Sequence, residues 1–252
     1  GTASITLNVT RVVDKPVLSA VPALNAKFTE NQVTPVVVDA TMTVTDLDDT
    51  NIHSATVKIT GNFLAGDTLA VTPVVGITTA YNSTTGELTL TGIASKADYQ
   101  QVLRSLTYTT PSDDPTVNTT LPTRTLTYTL NDNGSSGAGT AGLNPGTTTR
   151  TITVIPVNDT PALVGAGTVH AFTENDSAIT LEPGTTTAWA LTDVDDTQMV
   201  EAKVSITSGF KAGDVLAASA AALPAGWTQS YNTSTGVLTL SGPARDISNV
   251  LN

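Results

Sequence analysis

The stretch Tyr81–Leu90, with the sequence YNSTTGELTL, returns at Tyr231–Leu240 as YNTSTGVLTL. The text before it returns too, because Asn62–Asp67 (NFLAGD) matches Gly209–Asp214 (GFKAGD). Matches of this length, in the same order, identify an internal repeat, and a repeated supersecondary unit decides an architecture before any single motif does. The chain therefore contains two related units.

Within each unit, apolar residues alternate with threonine. Ala55–Ile59 and Leu126–Leu130 show this period of two, and Leu88–Leu90 shows it again. Such alternation predicts half-buried strands with threonine on the solvent face. Turn residues separate the runs at 61–62, 85–86, 133–134 and 145–146. Many short strands of this kind predict an all-β fold, namely tandem immunoglobulin-like β-sandwiches.

Three segments depart from the strand pattern. Ala97–Arg104 is predicted to be one or two helical turns, because Tyr99, Val102 and Leu103 share a face and Asp98 could cap its start. The stretches 112–122 and 135–149 are rich in Gly, Thr, Ser, Asn and Pro. We expect both to be long exposed loops.

The joint between the units is Val157–Pro161 (VNDTP). The same order occurs at the N-terminus, where a strand-like run at 5–9 precedes Asp14–Leu18. We therefore expect residues 1–16 to be the last strand of a preceding repeat plus a linker. Residues 17–161 should form a complete repeat, and 162–252 an incomplete second repeat, since its match to the first stops at Leu103-Arg104.

Composition excludes several classes of partner. The formal charge is −11, with only 11 Lys and Arg residues, which argues against nucleic acid as a partner because phosphate contacts need basic side chains. There is no cysteine, so disulfides and thiolate metal sites are excluded. No run of about eighteen apolar residues is present to span a membrane. No signal peptide is apparent at Gly1–Ser4, and we expect any export to be directed from outside this segment.

Acidic clusters recur in both units. Each unit opens with Phe-Thr-Glu-Asn, at Phe28–Asn31 and Phe172–Asn175, and then carries an acidic turn, Asp46–Asp49 (DLDD) or Asp193–Asp196 (DVDD). Hard cations such as calcium bind oxygen-rich groups of this kind. The alternative is a hydrated turn, since Asp and Asn are common turn residues. Repetition of the same acidic spacing beside the joint favours the metal.

A set of motifs resembles a known family. Glu30-Asn31, then TDLD at 45–48, LNDNG at 130–134 and VIPVNDTP at 154–161 are similar, in this order, to the calcium motifs of cadherin repeats. The chain resembles in particular the bacterial cadherin-like repeats of giant RTX-type surface adhesins exported by type I secretion. That resemblance implies an extracellular, cell-surface protein that supports adhesion and biofilm formation, with Ca²⁺ at the inter-repeat joints.

The resemblance also implies ligand sets. At the central joint they are Glu30, Asn158, Asp159, Asp193 and Asp195, with Asp98 as a further candidate. At the N-terminal joint they are Asp14, Asp46, Asp48 and Asp132. This sequence departs from the family pattern because Val13 replaces the linker Asn and the second copy has no equivalent of Asp132.

Catalysis has little support in the sequence. His53 and His170 occupy unrelated repeat positions, and there is no nucleophile elbow or phosphate-binding glycine loop. We expect no enzyme. The leading hypothesis is a structural extender whose partners are calcium ions and neighbouring repeats. The alternatives are a self-assembling filament or surface-layer subunit built from other copies of the chain, and a glycan- or protein-binding module using Trp189 and Trp227.

Overall fold

The structure is a computed structural model that describes residues 1–9, 14–19, 25–132, 145–165, 169–181, 190–219 and 223–246. The chain divides into two compact units, Gly1–Val157 and Asn158–Asn252, and the division falls inside the VNDTP joint. Trp189, the glycine turn at 133–134, Val13 and the final residues 250–252, all used in the sequence analysis, lie outside the described residues.

The first unit contains eleven strands and one helix among its described residues. In chain order they are β1 (Val17–Ser19), β2 (Ala26–Thr29), β3 (Val36–Val37), β4 (Thr43–Thr45), β5 (Asn51–Gly61), β6 (Thr68–Ala70), β7 (Thr78–Asn82), β8 (Glu87–Ser95), α1 (Lys96–Arg104), β9 (Thr107–Thr109), β10 (Thr123–Asn131) and β11 (Gly146–Ile155). The second unit contains β12 (Ala162–Val164), β13 (Ala190–Thr192), β14 (Gln198–Ser205), β15 (Thr228–Asn232) and β16 (Val237–Asp246).

The strands of the first unit form a two-layer sandwich. One sheet has the order β2-β11-β10-β5-β8-β7, and the other layer contains β3-β9-β6 and the pair β1-β4. The six-stranded sheet is antiparallel except for β2, which pairs in parallel with β11. Phe28 from one sheet and Tyr108 from the other pack edge to face, with ring centroids 5.4 Å apart. The all-β prediction is confirmed.

The period of two in the sequence becomes an inside and an outside face. Along β10, Arg124, Leu126, Tyr128 and Leu130 are buried, while the intervening threonines are partly exposed. Each buried aliphatic or aromatic side chain of this kind stabilises the fold by about 1.5–3 kcal/mol relative to exposure. The threonine face can remain in water because an antiparallel sheet needs only one covered side.

The helix α1 follows β8 directly. Ser95 is the N-cap, and its hydroxyl accepts a hydrogen bond from the backbone N–H of Asp98. The Asp98 carboxylate in turn accepts the N–H of Ser95, which completes a capping box. Asp98 is therefore the third helical residue and not the cap. The predicted apolar face is confirmed, since Tyr99, Val102 and Leu103 are buried.

A buried ion pair ties the loop after β9 to the sandwich. Arg124 and Asp67 are fully buried, and Arg124 Nε donates to Asp67 Oδ2 over 2.6 Å. Arg124 also donates to the carbonyls of Pro115 and Leu121. The expectation that 112–122 is simply an exposed loop is therefore wrong for its middle, where Pro115 and Thr116 are buried.

The described part of the second unit repeats the register of the first. In unit one β5 pairs with β8 so that Val57 faces Leu88, and in unit two β14 pairs with β16 so that Val204 faces Leu238. Its core contains Trp227, Leu238 and Leu240. Because Trp227 is 6% exposed and its indole N–H donates to the Pro243 carbonyl, it is a packing residue.

Two further predictions can be placed in this structure. Residues 1–9 are exposed and form no strand, so the assignment of 1–16 to a preceding repeat stays a prediction. The described part of the chain has no helix long and apolar enough to cross a membrane.

Candidate metal centres

The acidic turn of the first unit connects β4 to β5. Asp46 Oδ1 accepts the backbone N–H groups of Asp48 and Asp49 over 3.0 and 2.7 Å, which folds the turn tightly. Carboxylate oxygens of Asp46, Asp48 and Asp49 lie within 4.8 Å of one another. The backbone N–H of Asp14 donates to both oxygens of Asp48 over 3.3 Å. One turn thus gathers three carboxylates, and a fourth acidic residue adjoins it.

The second unit has the same arrangement between β13 and β14. Asp193 Oδ1 accepts the N–H groups of Asp195 and Asp196 over 3.3 and 3.0 Å. The three carboxylates again have oxygens within 4.8 Å of one another. The N–H of Asp159 donates to Asp195 Oδ1 over 3.2 Å, as Asp14 does to Asp48 in unit one. The geometry is therefore a property of the repeat and not of one loop.

Each turn contains a ligand candidate that the resemblance did not supply. Asp49 is 5% exposed and belongs to the first cluster, and Asp196 belongs to the second. Both stand at the last position of the repeated Asp-x-Asp-Asp text. The repeated aspartate at the fourth position could have identified both residues from the sequence, because both copies end the turn with a carboxylate.

The clusters are electrostatically strained. Burial and the carboxyl of Asp48 raise the pKa of Asp46, although backbone N–H groups oppose the shift. Loss of water and the side chain of Asp193 likewise raise the pKa of Asp195. Adjacent carboxylates resist simultaneous ionisation because like charges repel. A bound cation would offset the repulsion between these carboxylates. In the first cluster the Lys96 ammonium donates to the Asp46 carbonyl over 2.7 Å.

The donor sets fit a hard divalent cation. All the clustered side chains are carboxylates, and oxygen-only sets are those of Ca²⁺, Mg²⁺ and Mn²⁺. Two oxygens also lack a hydrogen-bond donor: Asp46 Oδ2 and Asp159 Oδ2 are buried and accept no hydrogen bond from any described residue. Both clusters could thus hold a metal ion. A bound ion would supply charge neutralisation and a cross-link between turn and linker.

Glu30 lies at the other end of the first unit. It is 3% exposed, its N–H donates to the Ile155 carbonyl, and its Oε2 accepts the N–H of Val157 over 2.8 Å. Asn31, which follows it, has a positive φ of 61°, and Asn175 repeats this with 71°. The Phe-Thr-Glu-Asn sequence thus forms a tight turn. In the first unit this turn places the Glu30 carboxylate beside Val157, the first residue of the joint.

Asp98 and Glu30 lie at opposite ends of the first unit. The strand β8 ends at Ser95 opposite Asn51, the first residue of β5, whereas Thr29 lies beside Ile155 at the far end of the sheet. Because β5 has eleven residues, these ends are about 35 Å apart. The assignment of Asp98 to the same joint as Glu30 is therefore wrong. Asp98 caps α1, at the end of the unit that carries Asp46.

The remaining candidates are distributed between the units. Asp132 is fully buried directly after β10, and Asn131 pairs with Ser54, so Asp132 lies at the same end of the sheet as the turn that leads into β5. Asn158 is exposed, and its side chain donates to the Asp159 carbonyl. Among the described residues of the first unit, Asp14, Asp46, Asp48 and Asp132 thus lie towards one end of the sandwich.

Comparison with known proteins finds one partial relative. The chain is 51% identical over 83 residues to halomucin of Haloquadratum walsbyi (strain DSM 16790 / HBSQ001). The match covers 31% of this chain and 1% of halomucin, so the chain corresponds to a small fraction of that protein's length. No protein-family model matches the chain.

Proposed function

We propose that this chain is a structural segment of an extracellular surface protein, in which calcium bound at the acidic turns stiffens the connections to each sandwich. The observation that carries the proposal is the duplicated linkage between a linker aspartate and an acidic turn, Asp14 to Asp48 and Asp159 to Asp195. A cation at such a turn would bind linker and sandwich together. The likeness to cadherin-like repeats supports calcium in particular.

The same observations support the proposed location and role. A cysteine-free, acidic chain of threonine-faced sandwiches, with a segment similar to halomucin, supports a place at the cell surface. A repeat whose duplicated acidic clusters lie in its connections, and whose two described cores are packed with apolar side chains, suits an extender better than an enzyme. Adhesion and biofilm formation would then depend on domains that such repeats hold away from the surface.

Calorimetric titration of the chain with Ca²⁺ tests the metal. We expect dissociation constants of about 10⁻⁴ to 10⁻³ M, the range of extracellular modules. Asp193→Asn should weaken binding to the second cluster by at least about tenfold, the scale set by loss of even an outer-shell partner. Asp113→Asn, which removes an exposed carboxylate outside both clusters, should leave the affinities unchanged. Absence of calcium binding up to about 10 mM would end this proposal.

A second measurement tests the stiffening. Small-angle scattering of the chain should give different dimensions in calcium and in chelator, because repulsion among clustered carboxylates is then unscreened by a metal. The idea that Glu30 shares an ion with the second cluster stays a prediction, and Glu30→Gln tests it. If that substitution leaves calcium affinity unchanged, the ion belongs to the acidic turn and the linker alone.

A further inference from the structure

The helix α1 lies along one edge of β4, the strand that leads into the first acidic turn. In the described part of the chain β4 pairs with β1 alone, so its other edge has no strand beside it. Three polar side chains of α1 make hydrogen bonds with the backbone at that edge. Arg104 Nε donates to the Met42 carbonyl over 2.6 Å, Gln100 Oε1 accepts the Val44 N–H over 3.2 Å, and Lys96 Nζ donates to the Asp46 carbonyl over 2.7 Å.

The spacing of these three contacts follows from the geometry of helix and strand. The helical residues are four apart, which is about 6.0 Å along the axis, and the strand residues are two apart, which is about 6.6 Å. Residues four apart share one face of a helix. Alternate residues of a strand direct their backbone groups to the same edge. The two series therefore stay in step, and α1 takes the place of a neighbouring strand.

The opposite face of α1 is fixed in the core of the first unit. Tyr99, Val102 and Leu103 are buried there, and the capping box of Ser95 and Asp98 fixes the first helical turn. A helix held in this way is a rigid support for the side chains on its other face. The edge of β4 is therefore tied to the core through α1.

The contacts of Lys96 fall at the two ends of the acidic turn. Its ammonium donates to the carbonyl of Asp46, the first residue of the turn, and its backbone N–H donates to the carbonyl of Thr50 over 3.3 Å, just after the last aspartate. The helix thus holds the strand before the turn, the start of the turn and its end.

We propose that Lys96, Gln100 and Arg104 are positioning residues that hold the first acidic turn in the shape that binds a cation. The inference rests on the proposed function, because it concerns the calcium site at Asp46–Asp49. Closing a mobile loop around a ligand costs conformational entropy, whereas a turn that is already held in its bound shape avoids most of that cost. The three side chains act through the backbone of β4 and not as ligands of the ion.

Gln100 offers the sharpest test, because it is neutral and its contact is with the strand and not with the turn. Gln100→Leu removes the acceptor of the Val44 N–H without a change of charge, so it separates positioning from electrostatics. The matched control is Gln101→Leu, at an exposed position of the same helix. Gln100→Glu retains an oxygen acceptor and should restore the contact.

Nuclear magnetic resonance of the full chain measures both the contact and its effect on calcium. In chelator, the Val44 amide should exchange with solvent slowly in the parent chain, Gln101→Leu and Gln100→Glu, and faster in Gln100→Leu. In a calcium titration followed at the amides of 46–50 and 193–197, Gln100→Leu should weaken binding at the first turn about fivefold, the equivalent of one hydrogen bond of about 1 kcal/mol. The affinity of the second turn should not change.

The results that would overturn the inference differ from those that would end the proposed function. Calcium binding at the first turn that is equal in Gln100→Leu and Gln101→Leu overturns the inference alone, and so does an equal loss at both turns, because the effect is then global. A Gln100→Glu chain that behaves like Gln100→Leu overturns it too, since the acceptor is then not the cause. Absence of calcium binding at either turn of the parent chain ends the proposed function and this inference with it.

Discussion

Two buried tyrosines illustrate how much one hydroxyl group matters in the first unit. Tyr108 and Tyr128 are both fully buried, and burial raises the pKa of each phenol above its usual value. The hydroxyl of Tyr108 donates to Asp67 Oδ1 over 2.7 Å. That of Tyr128 makes no hydrogen bond with any described residue. The tyrosine hydroxyl is therefore hydrogen-bonded at position 108, whereas its burial at position 128 costs free energy that no hydrogen bond offsets.

Replacement of each tyrosine by phenylalanine should separate the two situations. Tyr108→Phe leaves a buried carboxylate oxygen without its donor, so it should lower the free energy of unfolding by about 1–3 kcal/mol. Tyr128→Phe removes an unsatisfied group and should be neutral or slightly stabilising. Urea unfolding monitored by circular dichroism measures both. Equal losses in the two variants would contradict the assignment of Asp67 as the hydrogen-bonded partner.

Asp39 should make stability depend on pH. Arg150 Nε donates to its Oδ2 over 2.8 Å, and Thr41 donates twice to its Oδ1. Burial alone would raise the pKa of Asp39, but these hydrogen bonds hold it below its usual value. A carboxyl with a lowered folded pKa stabilises the fold above its unfolded pKa of about 3.9, and the contribution is lost as pH falls through the folded pKa.

Comparison of the parent chain with Asp39→Asn measures this contribution. At pH 7 the variant should be less stable by about 1 kcal/mol, the net worth of a hydrogen-bonded pair. The difference should shrink as urea unfolding is repeated at pH values that fall from the unfolded pKa of about 3.9 through the folded pKa of Asp39. Asp113→Asn, at an exposed site, should show no such trend. A difference that stays constant with pH would exclude Asp39 as its source.

At the scale of elements, β10 is the strand that organises the first unit. It lies between β5 and β11 in the six-stranded sheet, and its first buried residue, Arg124, holds the preceding loop by donating to two backbone carbonyls, those of Pro115 and Leu121. Arg124 is charged at a position where the alternation calls for an apolar residue. Its partner Asp67 is in the loop before β6.

Arg124→Leu should therefore be severely destabilising. It leaves the Asp67 carboxylate buried without its counter-ion, which typically costs about 3–5 kcal/mol. It also releases the loop 112–122, which limited proteolysis would detect. Lys58→Ala removes one partner of the exposed pair Lys58–Glu87 and should cost less than about 1 kcal/mol. A small effect of Arg124→Leu would mean that the buried pair contributes little.

Part of the fold of the first unit could be predicted from the sequence, and part could not. Alternation placed Leu126 and Leu130 inside and threonine outside, because the side-chain period of a strand is fixed by its geometry. The Arg124–Asp67 pair joins residues that are 57 positions apart in the sequence, and no local sequence pattern predicts a contact over that separation. Asp98 was assigned to the wrong end of the unit because only the pairing of β8 with β5 decides where α1 begins.

The candidate site divides in the same way. Asp46, Asp48, Asp193 and Asp195 were predictable, since the same text occurs twice and local turn chemistry brings neighbouring carboxylates together. The burial of Glu30 against Val157 was not, because the parallel pairing of β2 with β11 brings together residues 127 positions apart in the chain.

At the scale of the whole molecule, the two units share local contacts, but the repeated aspartate is buried in the first unit and exposed in the second. Tyr81 and Tyr231 both donate to the backbone of the repeated aspartate, Asp67 or Asp214. The Asp67 carboxylate additionally accepts hydrogen bonds from Arg124 and Tyr108, while Asp214 is exposed. In repeat proteins the total stability is close to a sum over units and their interfaces. We therefore expect the first unit to contribute most of it.

The parallel pairing of β2 with β11 also has a mechanical consequence. Four residue pairs join them, from Ile152 beside Ala26 to Ile155 beside Thr29. Tension applied before Ala26 and after Ile155 acts along both strands from opposite ends. It therefore shears all their hydrogen bonds together instead of opening them one at a time. Lys27→Pro should lower the unfolding force in single-molecule pulling, while Thr79→Pro on the opposite edge strand β7 should not. A sandwich arranged in this way bears load along the chain, and equal forces for both variants would show that the load passes elsewhere.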